Sequence, residues 1–317
     1  MIARTAPPPW PRIACSPFWR PVLAAGSPAT SIIVGVLALV LALAGSLTAG
    51  VQSAEPQTGA SRVALASITD PRNKPLVDVS PDDFVIQEGG APREILSVRP
   101  ADYPLVVLLD TGVEARGDFP SMQKAVLHFI ERIGQRPLVL GTFGNVPAML
   151  TTFEDDRQTV MARLAGIAAD TTAGSLLLQG AALAGETIRA TGTLFSAIVI
   201  VSATPVDASR NRPEEMIAPV VDSGAILHII ANRQGQTAGG GPRSSAALRA
   251  LAQQSRGEFT TIYSASSYQA ALERLADRLT TEMMIEYLVP VGSKPNDVKV
   301  GVRIVGAKVR GLGVAPR

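Results

Sequence analysis

The sequence predicts an α/β fold, a doubly wound and mostly parallel sheet with helices on both faces, beside a small β-rich module built from the N- and C-terminal strands. Three observations carry this. Short, largely apolar runs that end in polar loops, such as Leu105–Leu109, have the pattern of parallel strands buried on both faces. Segments with apolar residues at helical spacing alternate with them, the order that gives helices on both sides of a parallel sheet. Runs of strand-like alternation lie outside this series, near both ends of the chain.

The elements follow in order. Arg62–Thr69 alternates, with Val63 and Leu65 on one face and Ala64 and Ala66 on the other. Asp70-Pro71-Arg72-Asn73 is a turn signal. Pro81–Ile86 leads to a second turn at Gln87–Gly90, and Glu94–Arg99 reads as a further strand. From Tyr103 the period changes. Strands are expected at Leu105–Leu109, Pro137–Phe143, Ala148–Phe153, Ser196–Val201, Ala225–Ala231 and Glu258–Tyr263. Helices are expected at Pro120–Ile133, Gln158–Ile167, Leu176–Arg189, Pro213–Val221, Ser244–Ser255 and Tyr268–Met284. Right-handed crossovers make such a series doubly wound. Val298–Val305 and Lys308–Val314 read as a C-terminal hairpin without a slot in the parallel sheet, so pairing with the N-terminal β-module is expected. The expected organisation is a targeting segment and linker over 1–55, the β-module over 56–101, the α/β domain over 102–290 and the terminal strands over 291–317.

Charge is distributed unevenly along the 317 residues. Arg4, Arg12 and Arg20 are the only charged side chains before Glu55, which leaves −1 for the rest of a chain whose formal net charge is +2. Ile32–Ala49 is apolar apart from Ser46 and Thr48, and as a helix would span roughly 27 Å, close to the thickness of a bilayer core. Arginines before this run orient everything from Glu55 to the outside. A cleaved signal peptide, cut within Ser46–Ala54, and a retained anchor at residues 31–50 in the cytoplasmic membrane are both open. Trp10 and Trp19 are the only tryptophans, so tryptophan fluorescence of the mature protein distinguishes retention from cleavage. On either reading the body is exported to the periplasmic or extracellular face.

Several chemistries are excluded. One cysteine and two histidines rule out a disulfide framework and a His/Cys zinc site. The absence of clustered Lys/Arg argues against nucleic acid, and the absence of phosphate-cradling glycine motifs against a nucleotide. His228 lies inside a strand run, and His128 on the polar side of a helix; neither accompanies a Gly-x-Ser-x-Gly nucleophile motif. Glu154-Asp155-Asp156 reads as a cap for the following helix, since acids favour helix N-termini. The Gly239–Gly241 stretch reads as a flexible linker.

In an open parallel sheet the ligand loops lie beyond the carboxyl ends of the strands. Here these are Asp110–Glu114, Thr171–Ser175 and Ser202–Pro205. The ordered segments VSPDDFVIQEGG, LLD, TTAGSLLLQGAALA, IVIVS, LAQQSRGEFTTIYSASSYQAALERL and EYLVPV carry a resemblance to bacterial von Willebrand factor A-type proteins. More narrowly, the chain resembles the exported group that prefixes this Rossmann-type domain with a β-module; the resemblance spans about residues 61–315.

It implies a divalent-cation site of pattern Asp-x-Ser-x-Ser, with a later Thr and an Asp after the fourth strand. Asp110 holds the first position and Ser175 replaces the Thr. Gly112 and Glu114 stand in place of the two serines, and Ala203 in place of the second Asp. A hard cation wants oxygen ligands, so the expectation is a degenerate site with no metal and no cofactor. The expected role is non-enzymatic recognition of an unknown protein partner, with Asp110, Thr111, Glu114, Ser175 and Thr204 as candidate binding residues. Two alternatives stand beside it: a metal-dependent adhesion domain using Asp110, Glu114 and Ser175, and a hydrolase on the same sheet.

Overall fold

The computed structural model describes residues 59–316, apart from 77, 171, 209–212, 234–241 and 295. The expected targeting segment, most of the expected linker, Thr171 and the Gly239–Gly241 stretch therefore lie outside the described residues. Among the described residues, no helix is long and apolar enough to cross a membrane.

The central sheet contains β5 (Leu105–Asp110), β6 (Leu138–Phe143), β7 (Ala148–Met149), β8 (Ala197–Ser202), β9 (Ile226–Asn232) and β10 (Glu258–Ile262), in the order β10-β9-β8-β5-β6-β7. All pairs are parallel except β6 with β7. Six helices are interspersed with the strands: α1 (Phe119–Arg132), α2 (Arg157–Ala165), α3 (Leu177–Arg189), α4 (Pro213–Asp222), α5 (Pro242–Gln254) and α6 (Ser267–Thr280). The two-residue period of β5 splits the core. Val107 and Leu109 pack with Met122 and Phe129 of α1 and Leu272 of α6, whereas Val106 and Leu108 pack with Leu178 of α3 and Leu251 of α5. This is the doubly wound arrangement the sequence predicts.

Seven further strands form two antiparallel sheets. β1 (Gly59–Thr69), β4 (Ile95–Pro100), β11 (Glu282–Pro290) and β13 (Lys308–Pro316) are ordered β13-β1-β11-β4. β2 (Phe84–Glu88), β3 (Ala91–Arg93) and β12 (Val298–Val302) are ordered β12-β2-β3. Val63 and Leu65 of β1 join the core beneath α1 and α6, while Ala64, Ala66 and Ile68 face Phe84 and Ile86 of the smaller sheet. The four-stranded sheet is thus the middle layer between the α/β core and the three-stranded sheet.

Three sequence expectations are corrected. The helix expected to reach Met284 ends at Thr280, and Met283 and Met284 lie in β11, which begins at Glu282. Leu272, Leu275 and Leu279 share a spacing that Met283 continues, so the helical pattern has no break in sequence. Pairing with β1 on one side and β4 on the other decides for strand. The expected terminal hairpin does not form: β12 pairs with β2, and β13 pairs with β1. Ala148–Phe153 is strand only at its first two residues. Beyond them Thr152 N–H donates to Asp155 at 2.6 Å in a tight turn, and Asp156 caps α2 by accepting from Thr159 N–H at 2.7 Å.

A buried polar cluster sits where the middle sheet meets the α/β core. The Tyr103 hydroxyl donates to the carboxylate of Glu282 at the start of β11, and the Arg136 guanidinium lies 5.1 Å from the centre of the Tyr103 ring. Arg136 also donates to the Leu279 carbonyl at 3.2 Å. All three residues are buried. Burial pushes the Glu282 carboxyl up to about 7, although the Tyr103 hydrogen bond and the charges of Arg136, Arg278 and Arg310 act in the opposite direction.

Candidate functional site

The carboxyl ends of β5, β6 and β8 converge on Asp110, the last residue of β5. Its side chain is 0% exposed and accepts four hydrogen bonds. On Oδ1 the donors are the Gly112 N–H at 3.0 Å and the Ser175 hydroxyl. On Oδ2 they are the Ser202 hydroxyl at 2.8 Å and the Ala203 N–H at 3.0 Å. A carboxylate has about four lone-pair sites, so the chain itself fills all of them. Burial raises the Asp110 pKa, and the four hydrogen bonds, that of Ser175 foremost, oppose the rise.

This geometry follows from local residue choices. Ser202 is the last residue of the apolar strand β8, so its hydroxyl emerges at the loop end beside Asp110. It also lies 2.6 Å from the Thr204 carbonyl and shares its single proton between the two acceptors. Ser175 precedes α3, and its loop is held to the β5 loop by the Val113 N–H donating to the Ala173 carbonyl at 2.7 Å. Gly112 is required by a close approach: a Cβ there would stand 2.1 Å from Ser175 Oγ and 2.8 Å from Ser175 N. Introducing a serine by Gly112→Ser, the residue type that the sequence resemblance implies there, is therefore expected to lower unfolding free energy by about 2 kcal/mol, the usual scale for overpacking a fixed site. Urea denaturation checks this, and an unchanged midpoint would contradict the packing argument.

Asp110, Thr111, Ser175 and Thr204 are brought together and are all buried, whereas Glu114 is exposed. The Glu114 carboxylate points along the loop surface, 3.7 Å from where a Cβ on Gly174 would lie, and it makes no hydrogen bond to the Asp110 cluster. Asp207, the acid closest in sequence to Ala203, accepts from the Leu178 N–H at the start of α3, at 3.1 Å. Tyr268 and Asp118 extend the cluster: the Tyr268 hydroxyl donates to the Ser202 carbonyl at 2.8 Å, and Asn232 Nδ2 donates to Asp118 at 2.7 Å. Sequence reasoning put Ser202 in a ligand loop but not among the candidate binding residues, and it missed the backbone donors; a serine ending an apolar strand was the available signal for the first.

A divalent cation is poorly matched by these residues. Ser175 and Ser202 direct their protons at Asp110, Gly112 and Ala203 carry no side-chain oxygen, and Asp207 serves a helix terminus. Among the described residues, no three of His, Cys, Asp and Glu are grouped as a metal site. Nor is a histidine–nucleophile pair assembled among the described residues. His128 faces solvent beside Glu131 at 3.4 Å, and the buried ring nitrogens of His228 have no hydrogen-bond partner among the described residues.

A doubly wound α/β domain with its loop cluster at the strand carboxyl ends defines the class. No protein-family model matches the sequence, and no curated protein is a match to it. Solved structures do resemble it. A von Willebrand factor type A protein from Catenulispora acidiphila has a TM-score of 0.50 at 10% identity, over 83% of this chain and 74% of the other. Proximal thread matrix protein 1 from the mussel byssus, in a structure described as having a zinc-occupied MIDAS motif, has a TM-score of 0.50 at 11% identity, over 63% of this chain and 48% of that one. The chain spans about half the length of the mussel protein. Its fold is the von Willebrand factor A-type fold, in agreement with the resemblance carried by the sequence segments.

Proposed function

We propose that this is a non-enzymatic interaction module, exported from the cytoplasm, that recognises a protein partner through its strand-end loops without a bridging cation. The observation that supports this reading is the enclosure of Asp110 by four donors from its own chain. The mussel protein of similar fold is described as having a zinc-occupied MIDAS motif. Here the Asp110 carboxylate acts as a knot that holds three loops in one arrangement. Recognition then falls to what those loops and the neighbouring β6–β7 turn expose: the Glu114 carboxylate with Val113 beside it, and Val146, which is 72% exposed in the turn after β6. A rigid frame presenting a few apolar and charged side chains lowers the ordering cost of binding.

Two measurements test the reading together. Dialysed protein titrated with Mg²⁺ or Mn²⁺ is expected to give no saturable heat by calorimetry, and crosslinked partner capture at the cell surface is expected to be insensitive to chelator. Glu114→Arg with Val146→Asp is expected to abolish capture while leaving the unfolding midpoint unchanged, since both side chains are exposed. Micromolar cation binding that disappears in Asp110→Ala would overturn the proposal in favour of the metal-dependent adhesion reading.

A further inference from the structure

His228 is the one described histidine that is buried, with 3% of its surface exposed, and neither Nδ1 nor Nε2 has a partner among the described residues. An imidazole always presents at least one N–H donor, and leaving it unmatched in a core is costly. The side chain lies on the α6 face of the sheet, in register with Glu258 on the neighbouring strand β10. It does not meet a packed wall there. Together with Thr260, Glu258, Arg274 and Arg278 it lines a cavity of about 130 Å³, several times the roughly 30 Å³ that one water occupies. Arg274 and Glu258 are exposed at its mouth, so the cavity opens to solvent.

The charges around it have one dominant sign. Arg278 is paired with Glu258, the single acid of the lining. Arg274 makes no ion pair among the described residues, and Arg310 of β13 is close enough, with Arg278, to disfavour a proton on the imidazole. Burial is the larger cause of that effect, and together they take the His228 pKa down to about 3. Glu282, whose carboxyl feels Arg278 and Arg310, is bonded to Tyr103 outside the cavity. The cavity thus offers a neutral imidazole donor at its floor and uncompensated guanidinium charge at its rim. That combination is suited to a small anion and repels a metal ion.

We propose that the cavity between β9, β10 and α6 binds a small oxyanion, a phosphate or carboxylate group, with His228 donating to it from below and Arg274 from the mouth. The site is separate from the strand-end loops and does not depend on the function proposed for them.

The presence of only two histidines makes the test direct. The full chain, labelled with ¹⁵N at histidine, is titrated with inorganic phosphate and, separately, with acetate while the ring resonances are followed. Saturable movement of the His228 signals is expected, with those of exposed His128 unmoved. The arm that saturates at lower concentration identifies phosphate or carboxylate as the preferred group. An anion beside the ring favours its charged form, so the His228 pKa must rise in the saturated protein. Arg274→Gln, at an exposed position that leaves folding intact, is expected to weaken binding about tenfold. If the His228 signals stay still in both titrations, drift linearly with those of His128, or respond equally in Arg274→Gln, the cavity holds water or an adventitious ion only and the proposal fails.

Discussion

Asp110→Ala is expected to lower the unfolding free energy by about 4 kcal/mol, measured by urea denaturation in the presence of chelator. The substitution leaves two hydroxyls and two backbone N–H groups buried without their acceptor, and hydrogen bonds to a charged group contribute roughly 1.5–3 kcal/mol each before relaxation. Ser202 recovers part of the loss by donating to the Thr204 carbonyl alone, which keeps the expected total below the simple sum. Asp110→Asn should fall between, because its amide nitrogen must face donors at one of the two oxygen positions. The result separates two roles for this residue. A carboxylate kept for a cation contributes little to the metal-free fold, and its loss would shift stability by less than about 0.5 kcal/mol, as at an ordinary polar site. A large loss in chelator is the outcome that fits a structural knot.

Glu282→Gln is expected to raise stability at pH 8 and to flatten its pH dependence. The carboxyl of Glu282 titrates near its ordinary 4.5 in the unfolded chain and is raised to about 7 in the folded protein, with burial as the first cause. The folded state therefore holds a proton that the unfolded state has released between these values. The corresponding stability is fully present below about 4.5 and is lost as pH rises through about 7. A displacement of this size is worth on the order of 3 kcal/mol. Glutamine keeps an acceptor for the Tyr103 hydroxyl and carries no charge to desolvate. Denaturant midpoints at pH 5 and pH 8 should differ in the natural protein and nearly coincide in the variant. Equal midpoints in the natural protein would show that Arg136 and its neighbours stabilise the carboxylate fully. Because Glu282 opens β11, where the middle sheet meets the α/β core, this titration acts on the junction between the two.

The parallel strands were legible because a strand buried on both faces is a short apolar run, and those of β5, β8 and β9 are bounded by polar loops. Helix α2 was legible for a different reason: Asp156 makes a local cap three residues from its donor, and such contacts lie within one window of sequence. Strand β11 was not. Its apolar residues continue the leucine spacing of α6, and only ladders with β1 and β4, from the opposite end of the chain, decide between helix and strand. The separation of β12 from β13 was likewise invisible, because each takes its partner from a different N-terminal strand.

The candidate site divides in the same way. Sequence alone placed Asp110 as the acid at the end of the first parallel strand, and the resemblance to A-type proteins is what implied oxygen ligands at the positions of Gly112 and Ala203. Those are statements about which side chain stands at a position, and a run of residues suffices for them. What Asp110 does instead was decided by tertiary structure. Its hydroxyl donors lie 65 and 92 residues away in the chain, and two further donors are backbone amides that no residue identity reveals. The same holds for His228, which reads in sequence as an ordinary core histidine and acquires its character from arginines on α6 and β13. Local pattern determines which residues are buried; packing between distant segments determines whether a buried polar group finds a partner.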